Sequence, residues 1–276
     1  SERRLIVNAD DFGRSHAINQ AVAHAHQDGI LTTASLMVNG DAAAEAVELA
    51  RQNPRLGVGL HLTLIDGAAT LPPTKIPGLV DAQNNFSTAP VQTGLAYFFR
   101  PSLVPQLHQE IQAQFQKFAQ TGLRLDHVNG HLNLHLHPTI FSILVSNAHS
   151  WGITTLRLTR DLFWLNARLA RGHWFYRASH ALVFAALSGS AGPHLKRHRI
   201  RHARAVFGLL QKNLNLIAYI QLIQSIKFMS GNNPLRFKTN IYNDFFGRDG
   251  DDLAFDNAAS PDLPKRRLII NAGRRF

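Results

Sequence analysis

Two adjacent carboxylates, Asp10 and Asp11, follow the short aliphatic run Leu5-Ile6-Val7. Like charges held that close need a cation or a shared proton to offset them. His61 stands in Gly-Leu-His-Leu-Thr, and the run His127-Val-Asn-Gly-His131-Leu-Asn-Leu-His135-Leu-His137-Pro138 places four histidines in eleven residues. Each group has a plain structural reading. An isolated Asp-Asp is a common turn or capping pair, a lone His a satisfied core residue, and His135 and His137 alternate with leucine as in a strand. Taken together, one Asp and two distant His offer the oxygen and nitrogen donors that suit Zn, Mn, Fe or Mg. Such an ion acidifies water, and a neighbouring carboxylate accepts the proton, which is the chemistry of metal-assisted hydrolysis.

These residues need elements that bring them together. Leu5-Ile6-Val7 reads as a strand ending in an Asn-Ala-Asp-Asp-Phe-Gly turn, followed by a helix from Ser15 to about Gly29. Ala34 to Val38 is a second strand, Asp41 to about Gln52 a helix, and Gly57 to Leu62 a third strand. The Pro- and Gly-rich segment from Gly67 to Pro101 reads as a long loop. Helical spacing returns from Leu103 to Gly122, then a strand from Leu125 to Asn129, a helix opened by Pro138, and a strand over Thr154 to Leu158. Repeated strand-helix units predict an α/β fold with a parallel sheet and outer helices, open or closed as a barrel. The candidate residues all lie at C-terminal strand ends, which such folds gather on one face.

The chain has 276 residues and no cysteine, excluding disulfides, thiolate metal sites and a Cys nucleophile. Its net charge of +11 is unevenly spread. Ser1 to Leu156 carries 9 basic and 11 acidic residues, whereas Arg157 to Phe276 carries 20 basic and 7 acidic. No segment reaches the ~18 apolar residues of a membrane span. The N-terminal apolar stretch is too short for a signal peptide, so a cytoplasmic location is the expectation. The segment 247–276 is polar and proline-punctuated, and reads as a poorly ordered tail.

At residue level the chain resembles the YdjC-like carbohydrate deacetylases, in particular their hopanoid-biosynthesis-associated (HpnK-like) branch. The matching strings are Leu5-Ile-Val-Asn-Ala-Asp-Asp-Phe-Gly13, Thr33-Ala-Ser-Leu-Met-Val-Asn39, Gly57-Val-Gly-Leu-His-Leu62 with Asp66-Gly67 and Leu71-Pro-Pro73, and Leu125-Asp-His-Val-Asn-Gly-His131 running into His135-Leu-His-Pro138. The resemblance implies one domain over 1–276, an irregular (β/α) barrel of the polysaccharide-deacetylase type. It also implies a divalent metal (Mg, Zn or Mn) held by Asp11, His61 and His131, with Asp10 as general base. Asn129, His135 and His137 fall around these as supporting or substrate-contacting residues. The implied reaction is hydrolysis of an N-acetyl group on an amino sugar, in the hopanoid branch the headgroup of a polycyclic glycolipid.

Two positions depart from the family pattern. Asn133 stands where another histidine is usual, and Thr239-Asn-Ile-Tyr-Asn-Asp-Phe245 stands where a Thr-Glu-Ile-Tyr-x-His-Pro-like strand is usual. No histidine follows His202, so Asp244, another histidine or water must protonate the leaving amine, or the protein is a catalytically impaired sugar- or lipid-binding module.

The basic half reads as an insertion over 160–230 within that domain. From Arg157 to Lys227 there are 12 basic residues and one acidic, interleaved with aromatics. Arginine beside tryptophan suits a bilayer interface. Phe163 to Phe184, with Trp164, Arg168, Arg171 and Trp174, is therefore expected to dock peripherally on the inner membrane face to reach a lipid-linked sugar. The composition also suits nucleic acid, ranked lower because no nucleic-acid-binding motif is present. A homodimer is left open as the assembly.

Overall fold

The structure, a computed structural model, describes residues 4–160, 174–203, 205–207 and 268–273. In chain order the regular elements are β1 (Arg4–Phe12), α1 (His16–Gln27), β2 (Thr33–Leu36), α2 (Ala43–Gln52), β3 (Gly57–Leu62), α3 (Pro90–Phe99), α4 (Val104–Gln120), β4 (Val128–Gly130), α5 (Pro138–Ser146), α6 (Trp174–Arg197), β5 (Ala205–Phe207) and β6 (Leu268–Gly273). The sheet runs β4-β3-β2-β1-β6-β5. β1 to β4 are mutually parallel, β6 pairs antiparallel with β1, and β5 pairs antiparallel with β6. It is an α/β curled half-barrel with helices packed outside.

The centre of the sheet explains its composition. β2 is buried along its whole length, as a parallel strand covered on both faces must be. Ala34 and Leu36 enter the apolar core with Val58, Leu60 and Val128, while Thr33 and Ser35 carry hydroxyls that are also buried and must find partners.

Several expectations are corrected. β1 does not stop at Val7 but continues through both aspartates, with an irregular register between Ala9 and Phe12. The segment read as a loop over Gly67 to Pro101 contains α3, because Pro90 occupies the first turn, where its missing N–H is no loss. Buried Tyr97 ties this helix down by donating to the Leu64 carbonyl at 2.9 Å. Thr154 to Leu158 forms no regular strand. It joins β4 through a single parallel bridge, Val128↔Leu156. The run read as strand-like over His135 and His137 is a 3-10 turn, His131–Leu136, with Leu132 and Asn133 in the left-handed region. Within the tail expected to be poorly ordered, Leu268–Gly273 forms β6 and pairs with β1 from Arg4↔Gly273 to Ala9↔Leu268.

Two polar anchors fix the loops at the C-terminal strand ends. Asn19 of α1 accepts from the Gly13 N–H at 2.8 Å and donates to the Ala42 carbonyl, fastening the turn after β1 to the start of α2. On the other side, Glu110 of α4 accepts the Thr70 and Leu71 N–H groups at 2.8 and 2.9 Å, and Gln114 brackets both polar groups of the Thr63 backbone. Glu110 is 0% exposed. Glu110→Ala would orphan these donors in a buried setting, so urea unfolding is expected to show a loss of about 2–4 kcal/mol. A loss below about 1 kcal/mol would remove the clamp from the stability of this loop.

Candidate metal centre

Asp11, His61 and His131 converge at the C-terminal strand ends, with one ligand atom from each lying within 4.8 Å of the others. The local reason is the bend at the end of β1. Consecutive strand side chains ordinarily alternate faces, but Asp11 takes a φ of 61° where the register breaks. Both carboxylates are thereby brought alongside His61: Asp11 Oδ1 lies 3.0 Å from Nε2, and Asp10 Oδ1 lies 4.0 Å from Nδ1. His131 Nδ1 lies 2.9 Å from the same Asp11 oxygen.

Hydrogen-bond accounting tests whether these residues suit a cation. Asn129 is the register partner of His61 across β3 and β4. Its amide Nδ2 must face the carboxylate of Asp10, at 3.0 Å, because a carboxylate only accepts. Its Oδ1 then faces His61 Nδ1 at 2.7 Å, so that nitrogen carries the hydrogen. In the neutral ring Nε2 therefore presents a lone pair to Asp11 Oδ1 at 3.0 Å. Two acceptors so close require a positive charge between or beside them. Ligands about 2.1 Å from one cation stand about 3.0–3.4 Å apart at ordinary coordination angles. The donor set fits a divalent ion held by Asp11, His61 and His131.

Without such an ion, protonation answers the same demand. Burial disfavours the charged His61, but the Asp10 charge and the Asp11 bond outweigh it and raise its pKa. Burial likewise opposes charge on Asp11, yet bonds to His131 and His61 hold its carboxyl well below the usual range.

Asp10 belongs to a different set of contacts. Arg157 grips it at two points, 2.8 Å to Oδ2 and 2.7 Å to Oδ1, and Asn8 and Asn129 donate to Oδ1 at 2.9 and 3.0 Å. Burial raises its pKa, but the guanidinium, with help from His61, prevails and keeps the carboxyl far below the ordinary carboxylate range. Asp10 is thus an ionised acceptor beside the triad.

Of the remaining candidates, the structure places Asn129 between Asp10 and His61, as above. His135 is one layer back. Its Nε2 donates to the Arg157 carbonyl at 2.9 Å, bracing the residue that grips Asp10. Burial, with the Arg157 charge, pushes its pKa down to about 3. The unfolded chain therefore binds a proton near pH 6.5 that the fold refuses until about pH 3. Stability from this group is complete above pH 6.5 and falls by about 1.4 kcal/mol per pH unit below it. Urea titrations at pH 5 and pH 7 are expected to show this slope, reduced by up to one proton in His135→Asn. An unchanged slope would contradict a neutral buried His135.

His137 turns away from the centre and bonds the Gly94 carbonyl at 3.0 Å, joining the start of α5 to α3. Trp164, Arg168 and Arg171 lie outside the described residues, as does the Thr239–Phe245 string with Asp244; Trp174 opens α6. Among the described residues no helix is long and apolar enough to cross a membrane.

Sequence reasoning missed Arg157, Asn8, Arg14 and a role for Asp66. Arg157 enters the sequence reading only as the first of the 12 basic residues up to Lys227, yet it is 5% exposed. No local signal marks it: alternation with Leu156 and Leu158 sets it on the opposite face, where an arginine is ordinarily exposed. Arg14 and Asp66 pair at 3.4 Å and border the Nε2 edge of His131, each at 3.4 Å.

Comparison with known proteins gives the chain its relatives. A carbohydrate deacetylase of Brevibacillus brevis is 37% identical over 151 residues, covering 54% of this chain and 57% of the relative. A chitooligosaccharide deacetylase of Serratia marcescens is 34% identical over 161 residues, covering 58% and 61%. The chain thus spans a little over half the length of these curated relatives. The solved structure of a proposed cellobiose-phosphate cleavage protein from Enterococcus faecalis shares the fold, with a TM-score of 0.59 at 24% identity over 82% of this chain and 76% of that one. The profile of the YdjC-like protein family matches residues 4–234, across every strand and loop that carries the centre, and the chain belongs to that family.

Proposed function

We propose that the chain is a metal-dependent carbohydrate N-deacetylase, acting on an acetylated amino sugar that heads a hopanoid-type glycolipid. The observation that carries the reading is the Asp11–His61 pair of facing acceptors, closed by His131, with the ionised Asp10 alongside. The deacetylase relatives support the reaction class, and the resemblance to the hopanoid-associated branch is what suggests the lipid headgroup.

A divalent ion, Mg, Zn or Mn, held by Asp11, His61 and His131 would polarise the acetamide carbonyl and acidify water. The chain's own residues do the rest. Asp10 accepts the proton of the attacking water. Arg157, Asn8 and Asn129 hold that carboxylate still, so little reorganisation accompanies the transfer. A protonated carboxyl gripped by Arg157 is a strong acid, and it returns the proton to the departing amine. One carboxylate thereby serves both transfers, so the proposed reaction needs no histidine in the Thr239–Phe245 string. The basic-aromatic stretch from Phe163 to Phe184 supplies the approach to the bilayer, and its indifference to anionic liposomes in co-sedimentation would remove that part of the reading.

Acetate release from N-acetylglucosaminyl substrates, with and without a lipid tail, tests the function. Release is expected with the lipid-linked substrate, lost on chelation and restored by one of the three ions. No acetate from either substrate with any of them would overturn the proposal, and sugar binding without release would identify a binding module.

A further inference from the structure

His127, like His137, is a member of the four-histidine run that the reaction leaves unused, but its ring runs towards the centre. Ser35 on β2 pairs in register with Gly59 on β3. The His127 side chain starts beyond β3 and crosses over Gly59 to reach Ser35, its Nε2 standing 2.9 Å from Oγ. A Cβ on Gly59 would come within 2.6 Å of ring carbons Cδ2 and Cε1, so only glycine leaves the passage open. On its other side Nδ1 lies 3.1 Å from Asp126 Oδ2.

The direction of these bonds follows from counting. Ser35 Oγ receives Nδ2 of Asn129 at 2.8 Å and Nδ2 of Asn8 at 3.1 Å, which occupies both lone pairs. Its single hydrogen has two candidate acceptors. Asn8 Oδ1 is 3.4 Å away and already receives Thr33 Oγ1 at 2.8 Å, whereas His127 Nε2 is 2.9 Å away. The hydroxyl therefore donates to Nε2, and the ring hydrogen sits on Nδ1, donated to Asp126.

We propose that His127 is a positioning residue for the metal centre: by taking the Ser35 hydrogen it aims both Ser35 lone pairs at Asn8 and Asn129, and Asn129 in turn sets His61 Nε2 towards the ion. Remove the acceptor and the hydroxyl swings to Asn8 Oδ1, drawing a lone pair off Asn129. The amide that fixes the His61 tautomer then loses one of its two donor anchors. The inference rests on the metal-dependent reading of the site, but its tests read metal and protons rather than acetate.

In the full chain, long-range nitrogen-proton NMR spectra are expected to show His127 as the Nδ1–H tautomer; the Nε2–H tautomer would overturn the assignment. Zn(II) titration calorimetry supplies the second arm. Ser35→Ala and His127→Phe are each expected to weaken binding about tenfold, the lower end of effects seen for groups behind a ligand. His127→Gln, whose amide oxygen accepts the same hydrogen, is expected to stay within about threefold of the parent. Equal Zn(II) affinity in all four chains would overturn the proposal, as would equal losses in His127→Gln and His127→Phe. If His127→Phe does not fold, Ser35→Ala and the tautomer decide. Weakened Zn(II) binding in chains that release no acetate would leave His127 in place and remove the deacetylase reading instead.

Discussion

Asp10→Asn is expected to lower kcat for acetate release by about 10²–10⁴-fold, the usual worth of a positioned general base. The substitution keeps the size of the side chain and one acceptor for Arg157, but an amide cannot take the proton of the attacking water. Metal affinity is expected to remain within about tenfold, because Asp11, His61 and His131 supply the ligands. The two readouts separate the adjacent carboxylates: Asp11→Asn should lose metal first and activity with it, whereas Asp10→Asn should keep metal and lose turnover. Because Arg157 keeps Asp10 ionised far below neutrality, its titration adds no limb to the rate profile between about pH 5 and pH 8. An Asp10→Asn enzyme with parental kcat would end the assignment of Asp10 as the base.

The largest stability effect is expected at Arg157. Its removal as Arg157→Ala leaves the largely enclosed Asp10 carboxylate without its two-point partner and beside Asp11, and breaking a pair whose arginine is buried costs about 3–5 kcal/mol. Urea unfolding in the presence of a chelator is expected to show the full loss. Added Zn(II) should recover part of it, since binding only the folded state stabilises that state by mass action. Arg157→Lys retains the charge but not the planar fork that meets both oxygens, and falls between the two. A loss under about 1 kcal/mol in Arg157→Ala would show that Asn8 and Asn129 alone satisfy Asp10.

The sequence made the first half of the fold legible because each element there carries its own signal. β3 is an apolar run broken only by His61 and followed by Thr63, and α4 repeats its apolar residues at helical spacing. That rule also placed Asp11, His61 and His131 at strand ends of one sheet, and the structure brings them together. What stayed hidden depended on partners far along the chain. Arg157 is a surface residue by composition and a buried one only because Asp10 lies across from it. The proline that suggested a loop at Pro90 opened a helix, since a proline reads the same in both settings. β6 was illegible because its reason for being a strand is β1, and Arg4 and Gly273 share no local pattern. The turn at His131–Leu136 escaped because alternation with leucine mimics a strand when the left-handed residues Leu132 and Asn133 are not anticipated.

The kink at Asp11 sets a condition on anyone who would transplant this centre. On an unbroken strand of an idealised barrel, neighbouring positions point to opposite sides, so a graft of Asp10 and Asp11 would leave one carboxylate among the outer helices. The dipeptide is therefore portable only with its left-handed backbone and the register break before Phe12, and a scaffold chosen for regular strands would reject it.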